Sequence, residues 1–292
     1  MSSSISSINR SSQIITCNAA VAWGPGEELV MEEVEVGPPQ PLEIRVKVVC
    51  TSLCRSDITA WQSLATPSIF PRIFGHEASG IVESVGQGVT EFQKGLGAAW
   101  KVADISKQST VVIFGLGTVG LSVAVGAKLR GASQIIGVDT NSEKFEKARS
   151  FGITQLVNPT DHEEPIHQVI KRMTSGGADY AFECVGDTGT VTNALLSCCD
   201  GWGVTVTLGV PKVEPEVRAH YGLFLSGRTL KGSLIGGWKP KSDIPKLVDM
   251  YIRKEIPVDQ FITHNLRFAD INQAFDLMNK GNCLRCVIHM PN

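Results

Sequence analysis

The 292-residue sequence has neither a long hydrophobic run nor an excess of one charge. Gly, Lys or Asp interrupts its apolar stretches well before the roughly 18 residues that a membrane-spanning helix needs. The 27 Lys and Arg nearly balance the 29 Asp and Glu, which gives a formal net charge of -2. This balance argues against nucleic acid or an anionic membrane as a partner. We therefore expect a small, weakly charged or apolar ligand.

The N-terminal residues also lack the features of a targeting segment. MSSSISSINRSSQ has neither the apolar core of a secretory signal nor the several arginines of a transit peptide, and we interpret 1–13 as a flexible tail. Because no secretory signal is recognisable, the eight cysteines of the chain are expected to be reduced. These features together predict a cytoplasmic protein.

Two sequence patterns divide the rest of the chain. From 14 to 95, short alternating runs separated by turns such as GPPQP predict a mostly β domain. From 96 to 236, short apolar runs alternate with helical segments, which is the order of a doubly wound parallel sheet. Helix-like stretches and the alternating run CLRCVIHM fill 237–292, and we predict that this segment returns to the first domain. The predicted fold class is α/β, with a Rossmann sheet beside a mostly β domain.

A glycine-rich turn predicts a dinucleotide site in the second domain. GLGTVG follows the apolar run TVVIF and opens a helical segment, which is the context that the G-x-G-x-x-G motif requires. Asp139 ends the next predicted strand and is placed to accept the ribose hydroxyls, which favours NAD over NADP. Lys144 could add a ribose contact or belong to a solvated helix face. The predicted cofactor contacts here are Gly115, Leu116, Gly117, Thr118, Val119, Gly120, Asp139 and Lys144.

A His-Glu pair lies upstream of this turn. Taken alone, His76 and Glu77 are more often structural than metal-binding. Their surroundings are more informative, because the pair lies in FGHEASGIVESVGQGV and CRSD begins 22 residues before His76. Together with AFECVGDTG, TLGVPK and GNCLRCVIHM, these segments resemble the zinc-dependent medium-chain alcohol dehydrogenases, and most of all their plant alcohol-dehydrogenase-like branch. The resemblance runs along nearly the whole chain.

The resemblance implies a GroES-like domain that carries catalytic zinc, a Rossmann domain that binds NAD, and oxidation of an alcohol by hydride transfer. It makes Cys54, His76 and Glu77 the metal-binding residues, and thiolate and imidazole suit zinc. Asp57 would hold the His76 ring, and Ser56 would accept the proton of the alcohol. The resemblance also implies three groups of cofactor contacts. Arg55 and Arg285 would bind the pyrophosphate, and the backbone around Leu208 and Val210 would contact the nicotinamide carboxamide. Val185 and Ile235 would line the cofactor elsewhere.

The chain departs from the family pattern between Gly95 and Leu96. Members of the family carry a block here that holds the four-cysteine lobe of a structural zinc and the third cysteine ligand of the catalytic zinc. No cysteine occurs between Cys54 and Cys184. We therefore expect the structural zinc to be absent, the GroES-like domain to be incomplete and zinc affinity to be reduced, with Glu77 as the candidate third ligand.

Three functional interpretations stay open on the sequence alone. The first is an NAD- and zinc-dependent alcohol dehydrogenase that acts on a small alcohol or aldehyde as a homodimer, formed through the segment RTLKGSLIGG. The second is a catalytically impaired isoform that binds NAD but cannot hold zinc productively. The third is glutathione-dependent formaldehyde dehydrogenase-like activity, although CRSDITAW does not resemble that branch.

Overall fold

The computed structural model describes residues 13–41, 43–63, 69–85, 98–211, 216–234 and 236–291. Contacts divide the chain into two compact units, one made of Met1–Glu91 with Asp259–Asn292 and the other of Phe92–Val258. The predicted tail, apart from its last residue, lies outside the described residues. So do the join between Gly95 and Leu96 and the predicted cofactor contact Ile235.

Strands and short helices alternate along the described chain. The strands are β1 (Ile15–Ala22), β2 (Val30–Val36), β3 (Ile44–Ser52), β4 (Arg72–Ile73), β5 (Glu77–Val85), β6 (Thr110–Phe114), β7 (Gln134–Val138), β8 (Gln155–Val157), β9 (Tyr180–Glu183), β10 (Val204–Thr207), β11 (Thr229–Gly232), β12 (Ile262–Arg267) and β13 (Arg285–His289). The α-helices are α1 (Arg55–Trp61), α2 (Thr118–Leu129), α3 (Phe145–Ser150), α4 (Ile166–Met173), α5 (Thr188–Ser197), α6 (Gly222–Leu225), α7 (Pro240–Ile252) and α8 (Ile271–Asn279). None of the helices described here has both the length and the apolar character needed to cross a membrane.

The first unit is built from two small sheets with two helices packed against its core. One sheet has the order β2-β1-β4 and the other β12-β13-β3-β5. Strand β13 runs antiparallel to β3, with Val287 opposite Ser52. The C-terminal segment of the chain therefore belongs to the same sheet as the N-terminal strand β3. Ile58 from α1, Phe275 from α8 and Ile288 from β13 are buried together in the core of this unit.

Strand β5 forms one edge of the second of these sheets and is poorly covered. Ile81 is 65% exposed and Val82 is 52% exposed. Because neighbouring residues of a strand point to opposite faces, both faces of β5 present apolar surface in the described part of the chain. Exposed apolar edge strands are sites of self-association, and this exposure fits a β domain that lacks some of its strands.

The second unit is a doubly wound parallel sheet with the order β11-β10-β9-β6-β7-β8. All of its neighbouring strands pair in parallel, and helices connect them on the way from β6 to β10. The chain order reverses between β6 and β9, and in such sheets ligands bind at the carboxyl ends of the strands at this reversal. The predicted Rossmann sheet is therefore confirmed.

The second unit extends beyond the boundary predicted at 236. Trp238, Leu247 and Ile256 are buried together, and Trp100 packs against them. The ring centroids of Trp100 and Trp238 lie 6.0 Å apart. Because the apolar face of α7 is covered by Trp100 from far upstream, α7 belongs to this unit rather than to the returning segment.

Asp243 in α7 makes several charge-assisted contacts in this unit. Its carboxylate pairs with Lys101 and accepts hydrogen bonds from the backbone N–H of Lys239 at 3.0 Å and from Lys246 Nζ at 3.2 Å. These contacts, Lys101 first among them, hold the pKa of Asp243 well below its usual value of 3.8. A carboxyl group whose pKa is lowered by folding stabilises the fold above its unfolded-state pKa, and this contribution is lost as the pH falls through the folded-state pKa.

We therefore expect Asp243→Asn to lower the urea midpoint of unfolding at about pH 7, and the difference from the wild type to shrink progressively below about pH 4. Urea unfolding of both proteins across this pH range checks the result. Lys246→Gln removes one partner of Asp243 and should show a smaller difference with the same pH trend. A difference that stays constant from about pH 7 to about pH 3 would mean that Asp243 acts through packing alone.

Candidate metal and dinucleotide sites

The first unit brings together a thiol, an imidazole and a carboxylate. Cys54 lies directly before α1, His76 lies directly before β5, and Glu77 is the first residue of β5. One potential ligand atom of each residue lies within 4.8 Å of the other two, the only such group in the described part of the chain. Because sulfur, imidazole nitrogen and carboxylate oxygen are all ligands of zinc, these residues fit a zinc ion.

Strand pairing explains why residues so far apart in the sequence meet here. Strands β3 and β5 are antiparallel, and Ser52 at the end of β3 lies opposite Glu77 at the start of β5. Thr51 Oγ1 also donates a hydrogen bond to the carbonyl of Glu77 at 2.8 Å. Strand β3 ends at Ser52, two residues before Cys54, so the Cys54 thiol lies beside His76 and Glu77.

Asp57 connects the two segments that carry the candidate ligands. Its Oδ1 lies 3.1 Å from His76 Nδ1, and its Oδ2 accepts a hydrogen bond from the backbone N–H of Cys54 at 2.9 Å. Asp57 is only 4% exposed. Since Nδ1 of His76 faces this carboxylate, Nε2 is the ring nitrogen left for a metal. Ser56 Oγ lies 3.4 Å from that Nε2.

The two arginines predicted at a pyrophosphate both make contacts within the first unit. Arg285 Nη1 donates to Glu77 Oε2 at 2.6 Å and to the carbonyl of Leu53 at 3.2 Å. Arg55 Nη1 donates to the carbonyl of Met278 at 3.2 Å. Arg285 is therefore a direct neighbour of the candidate metal ligand Glu77, whereas Arg55 faces α8.

The glycine-rich turn joins β6 to α2 in the second unit. Gly115 has a φ of +92°, a conformation that favours glycine. A Cβ on Gly120 would lie 1.9 Å from the carbonyl oxygen of Gly115, so only glycine lets α2 pack this closely on the turn. A Cβ on Gly117 would meet nothing within 4 Å, so the space beside this residue is open. Such a space at a helix N-terminus fits the pyrophosphate of a dinucleotide.

Asp139 follows β7 and fixes this turn. Its Oδ2 accepts hydrogen bonds from the backbone N–H of Leu116 and from Lys144 Nζ, each at 2.8 Å, and its Oδ1 accepts one from the N–H of Asn141 at 2.9 Å. Lys144 Nζ forms an ion pair with Asp139, and its contact with the ribose stays a prediction. Thr118 and Val119 begin α2 next to this turn.

Comparison with known proteins identifies the family. The family model described as "Alcohol dehydrogenase GroES-like domain" matches residues 40–133, and the one described as "Zinc-binding dehydrogenase" matches residues 118–253. "Alcohol dehydrogenase-like 6" of Arabidopsis thaliana is 54% identical over 384 aligned residues that cover both chains in full. The chain belongs to the zinc-dependent medium-chain alcohol dehydrogenases, in their plant branch. "Alcohol dehydrogenase 1" of Oryza sativa subsp. indica is 39% identical over 96% of this chain and 99% of that protein.

Solved structures share the fold of this chain. The alcohol dehydrogenase zinc-binding domain protein from Burkholderia ambifaria matches with a TM-score of 0.87 at 20% identity, over 96% of this chain and 100% of that chain. Benzyl alcohol dehydrogenase from Acinetobacter calcoaceticus matches with a TM-score of 0.87 at 23% identity, over 95% of this chain and 100% of that chain. The combination of a Rossmann sheet with a GroES-like domain is thus confirmed.

The family comparison also shows that this chain is short. The 384 positions aligned with the A. thaliana relative exceed the 292 residues of this chain by 92. Because the match covers both chains in full, these positions of the relative have no counterpart here. This agrees with the predicted loss of a block, whose place between Gly95 and Leu96 stays a prediction.

Sequence reasoning missed one functional candidate, Glu183 at the end of β9. Its side chain is fully buried, and Oε1 accepts hydrogen bonds from the backbone N–H groups of Val185 and Gly186, each at 2.7 Å. Its backbone carbonyl accepts a hydrogen bond from the N–H of Leu208 at 2.9 Å. One residue therefore fixes the two loops that carry Val185, Leu208 and Val210. An acidic residue at the end of an otherwise apolar parallel strand was the signal in the sequence.

We expect Asp57→Asn to lower zinc affinity by roughly 10- to 100-fold, the usual cost of removing a partner that orients a ligating histidine. The amide keeps the volume of Asp57, but it presents a weaker acceptor to His76 Nδ1. Competition for zinc with a chromophoric chelator measures the effect. Asp270→Asn, which removes a partly exposed carboxylate that pairs with Arg267 in the same unit, should leave zinc affinity unchanged. Equal affinities for wild type and Asp57→Asn would show that Asp57 does not support the metal.

Proposed function

We propose that this chain is an NAD- and zinc-dependent alcohol dehydrogenase-like oxidoreductase that converts an alcohol into an aldehyde or ketone. The observation that carries the proposal is the cluster of three zinc-compatible ligands within 4.8 Å, in a unit whose family model is the GroES-like domain of alcohol dehydrogenases. In this proposal Cys54, His76 and Glu77 hold the ion. When bound, zinc supplies Lewis-acid polarisation of the substrate oxygen and makes the hydroxyl proton easier to remove.

The residues around the cluster have separate roles in this proposal. Asp57 keeps the His76 ring oriented, and Ser56, with Oγ at 3.4 Å from His76 Nε2, accepts the proton of the alcohol. The buried Thr59 donates its hydroxyl hydrogen to the carbonyl of Arg55 at 3.1 Å. Because the hydroxyl hydrogen of Thr59 points to a backbone carbonyl, which cannot pass a proton on, the proton leaves Ser56 through water or another route.

The second unit binds the dinucleotide in this proposal. Gly117 gives the pyrophosphate room at the start of α2, and the carboxylate of Asp139 faces the adenosine ribose. The carboxylate of Asp139 would repel the negatively charged 2′-phosphate of NADP, so the cofactor is NAD rather than NADP. Val185, Leu208 and Val210 lie on loops at the carboxyl end of β9 and β10 and serve the nicotinamide end. The pyrophosphate roles of Arg55 and Arg285 stay predictions.

Assembly and location are also part of the proposal. We propose a homodimer formed along β11, an edge strand of the six-stranded sheet; Leu234, two residues beyond the end of β11, is 97% exposed. We also propose a cytoplasmic location, in which the eight cysteines would stay reduced.

The direct test is NADH formation by the purified chain supplied with zinc, NAD and a primary alcohol. We expect absorbance from NADH to rise only when alcohol is present, to stop when a chelator removes zinc, and to resume when zinc is restored. A zinc-loaded chain that binds NADH but forms none from any alcohol tested contradicts the proposal.

The 92 positions that this chain lacks favour a second candidate function, an NAD-binding isoform without turnover. The two proposals differ in metal content. Less than about a tenth of an equivalent of zinc in a chain that still binds NADH would support the second candidate, because ligand loss lowers metal affinity while leaving the Rossmann unit intact.

A further inference from the structure

The candidate metal ligand Glu77 is already held by a cation. We propose that Arg285 lowers the zinc affinity of this site, because zinc must share the Glu77 carboxylate with an ion pair. The inference rests on the proposed metal site formed by Cys54, His76 and Glu77. It concerns this chain in particular, since Glu77 is the candidate third ligand in place of a cysteine that the resemblance assigns to the block predicted to be missing.

The guanidinium of Arg285 is anchored from two sides. Nη1 donates to Glu77 Oε2 at 2.6 Å and to the carbonyl of Leu53 at 3.2 Å. Leu53 directly precedes Cys54, so the anchoring carbonyl holds the guanidinium beside the segment that carries this candidate ligand. The Arg285 and Glu77 side chains are 23% and 32% exposed, and water therefore screens their attraction only in part.

Two effects of Arg285 oppose a divalent cation. The first is competition, because an oxygen that accepts a short hydrogen bond from Arg285 is less available to zinc. The second is repulsion between the fixed guanidinium charge and the ion. The other charged partner of the cluster acts in the opposite direction, since the buried carboxylate of Asp57 faces His76 Nδ1 at 3.1 Å and favours a cation nearby.

The alternative role for Arg285 predicts the opposite sign. Hydrogen-bond partners of metal ligands commonly orient them and raise metal affinity. If Arg285 did this for Glu77, its removal would weaken zinc binding. The direction of the change in zinc affinity therefore separates the two roles.

The experiment measures the zinc affinity of the full chain by competition with a chromophoric chelator, without any measurement of catalysis. We expect Arg285→Gln to bind zinc about three- to tenfold more tightly than the wild type, which is the range that release of a half-exposed ion pair and of a nearby charge gives. Glu77→Gln should bind zinc at least about tenfold more weakly. In the Glu77→Gln background, Arg285→Gln should raise zinc affinity by less than about twofold, because the ion pair is already absent and only the repulsion between the guanidinium and the ion is left to relieve.

Matched variants test whether the effect is specific. Arg267→Gln removes one positive charge from the same unit, where Arg267 pairs with Asp270, and should stay within about twofold of the wild type. Arg285→Met keeps the apolar stem and provides a second variant if Arg285→Gln shows no cooperative melting transition. It should show the same gain.

Three results would overturn the inference. One is unchanged or weaker zinc binding by both Arg285 variants. Another is an equal gain in the wild-type and Glu77→Gln backgrounds, which would mean that Arg285 acts by charge alone and not through Glu77. The third is zinc binding that does not depend on Cys54 or Glu77, and only this result also removes the proposed metal site.

Discussion

Cys54→Ser is expected to lower zinc affinity by about 100-fold or more, which is beyond the 10- to 100-fold loss caused by removing an outer partner. Cys54 is the only thiol in a cluster of three candidate ligands. A serine hydroxyl is a poor substitute, because zinc prefers thiolate and imidazole and the hydroxyl does not ionise near neutral pH. With one strong ligand removed, His76 and Glu77 alone would hold the ion weakly.

Equilibrium dialysis followed by metal analysis measures this loss. Cys17→Ser is the matched control, since Cys17 lies exposed on β1 of the same unit and outside the cluster, and its zinc content should equal that of the wild type. If Cys54→Ser and Cys17→Ser bind zinc equally well, the ion is held elsewhere and the proposed metal site is wrong.

The second large effect is expected when two glycines of the glycine-rich turn are replaced by alanine. One replacement should lower NADH affinity and the other should lower stability. Gly117→Ala should lower NADH affinity at least about tenfold without lowering stability, because its φ of -86° suits alanine and its Cβ would enter open space that the pyrophosphate needs. Gly120→Ala should destabilise the second unit by roughly 1–3 kcal/mol. Its Cβ would lie 1.9 Å from the carbonyl oxygen of Gly115, and backbone atoms must move to relieve the overlap.

NADH fluorescence titration and urea unfolding of both variants separate these effects. Each alanine variant is the control for the other. Gly117→Ala is expected to change NADH affinity, and Gly120→Ala is expected to change the free energy of unfolding. Gly117→Ala that binds NADH as tightly as the wild type would place the dinucleotide away from this turn. Gly120→Ala that unfolds at the wild-type urea concentration would show that α2 can move away from Gly115 at little cost.

The sequence was sufficient to predict features that depend on local patterns. Apolar runs followed by GLGTVG and an acidic residue predicted the parallel sheet, the turn and the place of Asp139. The spacing of Cys54, His76 and Glu77 was interpretable through the family resemblance. The structure then places one potential ligand atom of each within 4.8 Å of the other two.

Features that depend on distant pairing were not predictable in this way. Arg285 meets Glu77 because β13 and β5 both pair with β3, and no local pattern specifies that arrangement. The attachment of α7 to the second unit depends likewise on Trp100, which packs against Trp238 from far upstream. Glu183 was missed because the sequence shows only an acidic residue at the end of an apolar strand. Its role depends on hydrogen bonds to two loops, which only the structure gives.

The poorly covered edge of the first unit has a physical consequence of its own. Ile81 and Val82 are 65% and 52% exposed on the edge strand β5, and such strands tend to pair with further chains. Preparations of the chain should therefore be compared at several concentrations, so that self-association is not mistaken for the dimer proposed along β11.

The most direct measurement of the central claim is the zinc content of the purified full chain after dialysis against trace zinc. We expect about one zinc ion per chain, which is lost in Cys54→Ser and retained in Cys17→Ser. A chain that binds NADH but retains less than about a tenth of an equivalent of zinc would contradict the claim that Cys54, His76 and Glu77 form a working metal site.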